Sequence, residues 1–499
     1  MTTRDSFISK TWQSIHWGTD KELHPLSGWL YKTNLYETGD EKSILILVSQ
    51  ALEDSVPNIL SCSLNLLDKH SAPLCAKILI VPDNSLKFDF NTTLSDFYYG
   101  TNITEKYLYK QIENHAPDAI IVYSESECTL DNIAGVPLLG CASDSSELTT
   151  NIEQSLTQTR SQLRTNLSVQ IKRNLAQVIQ DLASSYGQNL TLVNYTQGVG
   201  IYSHLIISEH LNDIGSISTE LDKVLSTGPL SAENPFGDNP TGANLASSIW
   251  AYDLSKHLGT IKWNSLLDEA ANLYEASKEP GVPPKPCDPI VRTEDMFYSA
   301  AILGRAYQHH GDVNYLDTLD VFFEMVDLQQ DNGLFWHSAT SPYFWSRGNG
   351  FAILGLSQYL TYVPQSRDTY SMIRDQFIKF FKHIHSYQDV SGGFHELLDI
   401  PGSYLEFTST CIIGYAALRG KSLGILDTSV DDLITAAWNF VKQRIDSKGN
   451  ITDACFNTGL QPDLESYYLR PAVTGQDDRS GSMALLFCSE LLRREFNVD

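Results

Sequence analysis

The chain has 499 residues, and its 60 Asp and Glu against 35 Lys and Arg give a formal net charge of −25. This charge argues against a sequence-independent nucleic-acid binder and against a protein that binds anionic membranes, because both depend on clustered Lys and Arg. The length predicts about two to four domains, and a hydrophobic content of 42% is enough for a large core. The sequence has no apolar stretch long enough for a membrane-spanning helix.

The N-terminal segment, residues 1–18, does not have the apolar run of a secretory signal, since Arg4, Lys10 and Trp12 interrupt it. The 8 cysteines are scattered without a Cys-x-x-Cys pair, and most lie in apolar surroundings. We therefore expect reduced thiols rather than disulfides or a zinc site. These features predict a cytoplasmic protein that needs no metal or other cofactor.

Residues 1 to about 150 predict a small α/β domain. Short apolar runs rich in β-branched residues lie at 43–48, 76–81 and 118–123, and segments with helical spacing separate them. Continuous apolar runs are typical of strands that are buried on both faces. The alternation of such runs with helical segments predicts a mainly parallel sheet.

Within this domain, residues 47–54 faintly resemble the α/β fold of the zinc carboxypeptidases and deacylases. A working site would need a His and Glu pair after the first strand and a later His to bind zinc. Ser49 and Gln50 stand there instead, and Glu53 has no histidine close by in the sequence. We therefore expect a degenerate accessory domain, which supports a homo-oligomer or shapes the mouth of the next domain. His70 and His115 are the histidines that would revive the metal interpretation.

From residue 151 to residue 499, helical periodicity replaces the strand runs. Apolar segments rich in Ala, Gly, Ser and Cys recur about every 50 to 70 residues, and several precede a more polar, amphipathic segment. This pairing indicates closely packed inner helices and outer helices that face water. About six pairs fit the length, which predicts a mainly α domain with an (α/α)6 barrel; an open helical solenoid would have a more uniform repeat. The apolar segments are 243–257, 294–309, 348–362, 405–418 and 480–493.

Loops that enter the apolar helical segments carry the residues suited to chemistry on a sugar. Asp295 begins a helix and is followed by apolar residues, so burial is expected to raise the pKa of its carboxyl toward a value useful in acid–base catalysis. Trp345 offers an aromatic face for a pyranose ring, and Arg347 offers a guanidinium that can bind a carboxylate through two hydrogen bonds. His337 is a further candidate, as a hydrogen-bond donor in the site. Three of these residues also have a purely structural interpretation: Asp295 as a helix cap, Trp345 as core packing, and His337 as a loop histidine bonded within the protein.

Four motifs together resemble the unsaturated glycuronyl hydrolases. The match is best to glycoside hydrolase family 105, the unsaturated rhamnogalacturonyl hydrolases, followed by the related family 88, the unsaturated glucuronyl hydrolases. The resemblance spans roughly residues 225–495. The motifs are Glu-Asp-Met-Phe at 294–297, Asp-Asn-Gly-Leu-Phe-Trp-His at 331–337, Trp-Ser-Arg-Gly-Asn-Gly-Phe at 345–351 and Tyr-Leu-Glu-Phe-Thr-Ser at 404–409.

The resemblance implies an (α/α)6 barrel and a hydration reaction on a small oligosaccharide. In this reaction an Asp, here Asp295, protonates C4 of the C4=C5 double bond in the terminal unsaturated uronic acid left by a polysaccharide lyase. It then activates water for attack at C5. His337, Trp345 and Arg347 match positions that line the sugar and its carboxylate, and Asn244 is a weaker polar contact. The chemistry needs one acid–base carboxyl rather than the carboxylate pair of ordinary glycosidases.

Some positions depart from the family pattern, and two alternative functions stay open. A further substrate-holding Asp is not placed, with Asp238 and Asp253 as nearby candidates, and Phe351 stands where Trp is common. One alternative is a glucuronidase on saturated glucuronides that uses Glu406 as a second carboxylate. The other is a non-catalytic carbohydrate-binding protein that keeps Trp345 and Arg347. The net charge favours a short, singly charged oligosaccharide over a long polyuronate.

Overall fold

The computed structural model describes residues 12–496 apart from 21, 35, 83–102, 126–131, 134 and 278. It divides into two compact units, one of residues up to Arg173 with Ile400–Tyr404, and the other of Asn174–Asp399 with the residues from Leu405 onward. The division therefore lies at residue 173 and not near residue 150. Arg164 explains part of this difference, because its fully buried guanidinium forms ion pairs with Glu37 and Glu41 inside the first unit.

The first unit is built on a seven-stranded mixed sheet, flanked by helices. Its strands are β1 Gln13–Thr19, β2 Pro25–Lys32, β3 Lys42–Ser49, β4 Leu74–Val81, β5 Ala119–Tyr123, β6 Asn132–Ile133 and β7 Val136–Ala142, and its helices are α1 Val56–Leu67, α2 Ile103–His115, α3 Ser145–Thr157 and α4 Gln162–Lys172. The strand order is β1-β2-β4-β3-β5-β7-β6. The three apolar runs form β3, β4 and β5, which pair in parallel at the centre of the sheet.

His115 is a buried structural residue of the first unit. Its Nε2 lies 2.9 Å from the carbonyl oxygen of Ile44 and 3.2 Å from Oγ of Ser43, and burial lowers the pKa of the imidazole. His70 lies at the surface and contacts the backbone of Ala72. Within the described residues, neither histidine belongs to a group of potential metal ligands.

Among the described residues, the cysteines are free thiols as predicted, with one exception. Cys141 is disulfide-bonded, so the expectation of reduced thiols throughout is wrong there. The free cysteines of the described chain are Cys62, Cys75, Cys287, Cys411, Cys455 and Cys488.

The second unit is mainly helical, as the periodicity predicted. Its helices are α5 Leu175–Ala183, α6 Tyr195–His210, α7 Ile214–Leu225, α8 Gly242–Leu245, α9 Ala251–Leu258, α10 Asn264–Asn272, α11 Thr293–His310, α12 Val313–Met325, α13 Ser346–Tyr362, α14 Asp368–Ile384, α15 Phe407–Ser422, α16 Asp431–Lys442, α17 Leu464–Tyr468 and α18 Asp478–Phe496. Two short hairpins, β8 Phe394–His395 with β9 Leu405–Glu406 and β10 Ile451–Cys455 with β11 Ala472–Gly475, connect them.

The apolar helices pack directly against one another and the amphipathic helices cover them. Helix α11 packs on α13, α13 on α15, α15 on α18, and α18 on α6, while α12, α14 and α16 pack on α11, α13 and α15. Glycines permit the close contacts: a Cβ on Gly355 of α13 would lie 2.5 Å from the carbonyl oxygen of Met296 in α11. The richness in small residues therefore serves close helix packing.

Two helical features differ from the sequence prediction. The segment 243–257 is not one helix, because α8 passes into a 3-10 turn, Ala246–Ser248, before α9 begins. In this turn Ser247 and Ser248 donate their hydroxyls to backbone carbonyls three residues earlier, which competes with regular helix formation. Helix α6, which is almost wholly buried, was not predicted. Across the described helices, none has both the length and the apolar character needed to cross a membrane.

Candidate active site

A pocket of about 470 Å³ lies in the second unit, where the N-terminal ends of several helices meet. Helices α6, α8, α11, α13 and α18 each present their first residues or N-cap to it. The partial positive charge of helix N-termini favours an anionic ligand at such a place. The remaining wall comes from the loops around 286–289 and 457–459. The lining residues that matter for its chemistry are Tyr195, Asp288, Arg292, Glu294, Asp295, Trp345, Arg347, Asn457 and Arg479.

Asp295 lies in the first turn of α11 and is only 2% exposed. Burial raises the pKa of its carboxyl from 3.8 to about 7, and the charges of Glu294 and Asp288 add to this effect. The Arg292 guanidinium and a hydrogen bond of 3.0 Å from the backbone N–H of Asp288 to Oδ2 partly oppose the rise. Near neutral pH the carboxyl is therefore able to donate a proton and to accept one.

Glu294, the preceding residue, behaves in the opposite way. Burial by itself would raise the pKa of its carboxyl, but His337 and Arg292 lower it to about 2. His337 Nε2 lies 3.1 Å from each carboxylate oxygen of Glu294. Two adjacent carboxyls are thus separated in function, since Glu294 stays ionised while Asp295 titrates near neutrality.

His337 is not placed on the pocket wall. The ring is fully buried behind Glu294, and its Nδ1 lies 2.5 Å from the hydroxyl oxygen of Tyr467. Both ring nitrogens are therefore occupied by protein groups. The structure places His337 as a partner of Glu294 rather than as the direct sugar contact that the sequence suggested.

Trp345 and Arg347 border the pocket but are almost completely buried, each with about 1% exposure. The indole N–H of Trp345 donates to Glu396 Oε1 over 2.9 Å, and the Arg347 guanidinium lies 4.7 Å from the centre of the Trp345 ring. The centre of the His337 ring lies 4.5 Å from the centre of the Trp345 ring. The ring is therefore part of the packed wall, and little of its face is available for a sugar to stack on.

Behind Trp345, two buried glutamates support the wall. Burial and the neighbouring charge of Glu406 raise the pKa of the Glu396 carboxyl to about 8. Glu406 accepts hydrogen bonds from the backbone N–H groups of Thr408, Ser409 and Cys455, so its carboxylate caps α15. Glu406 does not line the pocket, so the structure does not bring it together with Asp295 as a conventional pair of glycosidase carboxylates.

Asn244 does not reach the pocket either, although its neighbours Thr241, Gly242 and Ala243 line it. Its side chain forms a capping box with Thr241 and donates to the carbonyl oxygen of Val193 over 2.7 Å. Asp238 is exposed and accepts a hydrogen bond from Asn234, and Asp253 lies near Arg305. Neither aspartate lines the pocket.

The sequence prediction missed Arg479, Tyr195 and Asn457. Arg479 Nε donates to the hydroxyl oxygen of Tyr195 over 2.7 Å, and its Nη2 donates to Asn457 Oδ1 over 3.2 Å. Arg479 stands directly before the apolar segment 480–493, as Arg347 stands directly before the segment 348–362. That shared position at a helix start was the available signal.

Residues 337–495 match the model of Glycosyl Hydrolase Family 88. The unsaturated rhamnogalacturonyl hydrolase YesR of Bacillus subtilis (strain 168) is 24% identical over 204 residues, which cover 41% of this chain and 55% of YesR. The match thus spans about half the length of that relative.

Two solved structures named for glycoside hydrolase family 105 are similar to this chain. A possible member of the GH105 family from Klebsiella pneumoniae subsp. pneumoniae MGH 78578 has a TM-score of 0.56 at 19% identity, covering 67% of this chain and 94% of its own. The family 105 glycoside hydrolase of C. acetobutylicum ATCC 824 has a TM-score of 0.54 at 18% identity, covering 62% of this chain and 98% of its own. At such identities the likeness shows a shared fold. With the family match, it confirms the resemblance that the motifs predicted.

Proposed function

We propose that this protein is a glycoside hydrolase that removes the unsaturated uronic acid from the non-reducing end of oligosaccharides produced by a polysaccharide lyase. The observation that carries the proposal is the buried carboxyl of Asp295, whose pKa is about 7, on a pocket that also presents guanidinium groups. Such a pocket suits an anionic sugar on which one group must both give and take a proton.

In the proposed reaction, Asp295 begins protonated and donates its proton to C4 of the substrate. The cation that develops at C5 is then attacked by water, and the newly ionised Asp295 takes a proton from that water. The resulting hemiketal opens and releases the remaining sugar. Asp295 regains its proton in the cycle, so one carboxyl performs both steps.

Glu294 has a supporting role in this proposal. The ionised Glu294 carboxylate acts on Asp295 as a fixed negative charge, which favours the protonated form of Asp295 and would stabilise the positive charge developing at C5. Arg292 pairs with Asp288 over 3.1 Å, and both residues line the pocket.

We further propose that the second unit closes into an (α/α)6 barrel, with the first unit as an accessory domain. In support, α6 also packs on the turn Ala246–Ser248, and that turn packs on α11. The inner helices would then be α6, α8 with α9, α11, α13, α15 and α18, and the outer helices α7, α10, α12, α14, α16 and α5. The cytoplasmic location and a homo-oligomeric state stay predictions from the sequence.

The proposal is tested with lyase digests of pectin, ulvan and glycosaminoglycans, together with a chromogenic saturated glucuronide. We expect the ultraviolet absorbance of the conjugated double bond to fall on at least one digest, and no release of the chromophore. Chromophore release without any loss of absorbance would indicate a conventional glucuronidase. Thermal stabilisation by a digest without turnover would indicate a carbohydrate-binding protein.

A further inference from the structure

The three arginines on the pocket differ in how their charge is compensated. Arg292 forms an ion pair with Asp288, with Nε and Oδ2 3.1 Å apart. Arg347 and Arg479 form no ion pair with any carboxylate of the described residues. The pocket therefore contains two guanidinium groups that are not paired directly with a carboxylate, although Glu406 and Glu396 act on Arg347, and Asp477 on Arg479, at longer range.

Arg347 has little of its hydrogen-bonding capacity left for a ligand. Its Nη1 donates to the carbonyl oxygen of Cys455 over 2.5 Å and its Nη2 to that of Phe456 over 3.0 Å. Its Nε is buried without a hydrogen-bond partner among the described residues, and the side chain is 1% exposed. The forked end of this guanidinium thus faces the backbone of the 455–456 loop instead of the cavity.

Arg479 is held differently and is partly exposed. Tyr195 accepts from Nε and Asn457 accepts from Nη2, and both acceptors are neutral. Nη1 has no hydrogen-bond partner within the described part of the chain. Since Tyr195 and Asn457 fix the guanidinium from two sides, its remaining N–H groups are already oriented before a ligand arrives.

The two guanidinium groups without a direct ion pair also act on each other. Burial and the charge of Arg347 each tend to lower the pKa of the Arg479 guanidinium, but Tyr195 and Asp477 outweigh them and the pKa is raised. An anion bound at Arg479 would offset the repulsion between the two guanidinium groups, and the helix N-termini that meet at the pocket would add to the attraction.

We propose that Arg479, and not Arg347, binds the carboxylate of the substrate directly. Arg347 is then a positioning residue, which holds the 455–456 loop and packs on Trp345. This assignment rests on the proposed function, because it takes the unsaturated uronate as the ligand. It differs from the sequence-based hypothesis, in which Arg347 clamps the carboxylate.

The test compares an unsaturated disaccharide with the methyl ester of its uronate, using wild-type protein, Arg479→Gln and Arg479→Lys. For the free acid we expect Arg479→Gln to raise KM by about tenfold to a hundredfold, the range for a lost hydrogen bond to a charged group. The KM for the ester should change little. Arg479→Lys should have a KM for the free acid between those of wild-type protein and Arg479→Gln. Arg374→Gln, which removes an exposed positive charge paired with Asp375, is the matched control and should behave as wild type.

Calorimetric titration of both compounds into Asp295→Asn, with and without Arg479→Gln, separates this assignment from the proposed function. If wild-type protein consumes neither compound but Arg479→Gln still abolishes binding of the acid alone, the proposed reaction is wrong and the assignment stands. If Arg479→Gln weakened binding of the acid and of the ester equally, the assignment would be overturned and Arg479 would have a structural role. Unchanged binding of the acid by Arg479→Gln would overturn it as well.

Discussion

Asp295 is the residue whose surroundings most strongly determine the proposed chemistry. Burial raises the pKa of its carboxyl to about 7, while the adjacent Glu294 carboxyl has a pKa of about 2 because His337 and Arg292 offset its burial. The difference arises because the His337 ring contacts Glu294 and not Asp295. One turn of helix thus supplies both a titrating group and a fixed charge.

The first prediction concerns the pH dependence of activity. Because Asp295 must be protonated to donate to C4, kcat/KM should fall as pH rises through about 7, with a single ionisation. Glu294 stays ionised well below that pH and should add no further limb near neutrality. A pH–rate profile of the wild-type protein measures this. A midpoint near 4, or a rate that rises through pH 7, would contradict the proposed role.

The site residues differ in how well the sequence predicted them. Asp295, Trp345 and Arg347 lie in motifs at helix starts, and the structure brings all three to one pocket. His337 was expected to contact the sugar, but it lies behind Glu294. The sequence did not predict this position, because the partners of His337 come from distant parts of the chain. Arg479 was missed for the same reason, since its position beside Tyr195 depends on the packing of α18 against α6.

At the scale of helices, close packing of α11 and α13 fixes the start of the helix that carries Asp295. Gly355 of α13 lies against the backbone of Met296, the residue after Asp295. Periodicity and small-residue content predicted such inner helices well. They did not predict the break at Ala246–Ser248, which depends on hydrogen bonds from two serine hydroxyls to the backbone. Hydrophobic periodicity indicates which residues are buried, but it does not show which backbone groups are hydrogen-bonded.

The second prediction tests this contact. Gly355→Ala should lower the free energy of unfolding by about 1–3 kcal/mol, because its Cβ would overlap the Met296 carbonyl and push the two helices apart. It should also lower kcat, since the shift moves Asp295. Gly215→Ala in α7 is the control, because the added Cβ would have no atom of the described residues within 4 Å. Denaturant unfolding and steady-state kinetics measure both effects. Equal stability of the two variants would show that the helices do not require this contact.

At the scale of the whole molecule, the net charge of −25 opposes the approach of an anionic substrate. The arginines and helix N-termini at the pocket oppose this field only at short range, while the overall repulsion is screened beyond about 8 to 10 Å at physiological salt. The total charge could be predicted from the sequence. The collection of Arg347 and Arg479 in one pocket could not, because Arg479 lies outside the four sequence motifs.

The third prediction follows from the contrast between overall repulsion of the anionic substrate and local attraction at the pocket. At low ionic strength, added salt should raise kcat/KM for the anionic disaccharide, because it screens the overall repulsion before it weakens the short contacts inside the pocket. The uncharged methyl ester should show no such rise and serves as the control. A monotonic fall of kcat/KM for the acid from the lowest salt onward would mean that attraction at the pocket dominates at long range.

The most direct test of the central claim is the time course of ultraviolet absorbance when wild-type protein and Asp295→Asn are mixed with the same unsaturated disaccharide. Circular dichroism should first show that both proteins are folded, since Asn closely preserves the shape of the side chain. The proposed hydration predicts steady loss of the double-bond absorbance with wild-type protein and a rate at least about a thousandfold lower with Asp295→Asn. Loss of absorbance at a similar rate with both proteins would contradict the assignment of Asp295 as the acid–base residue.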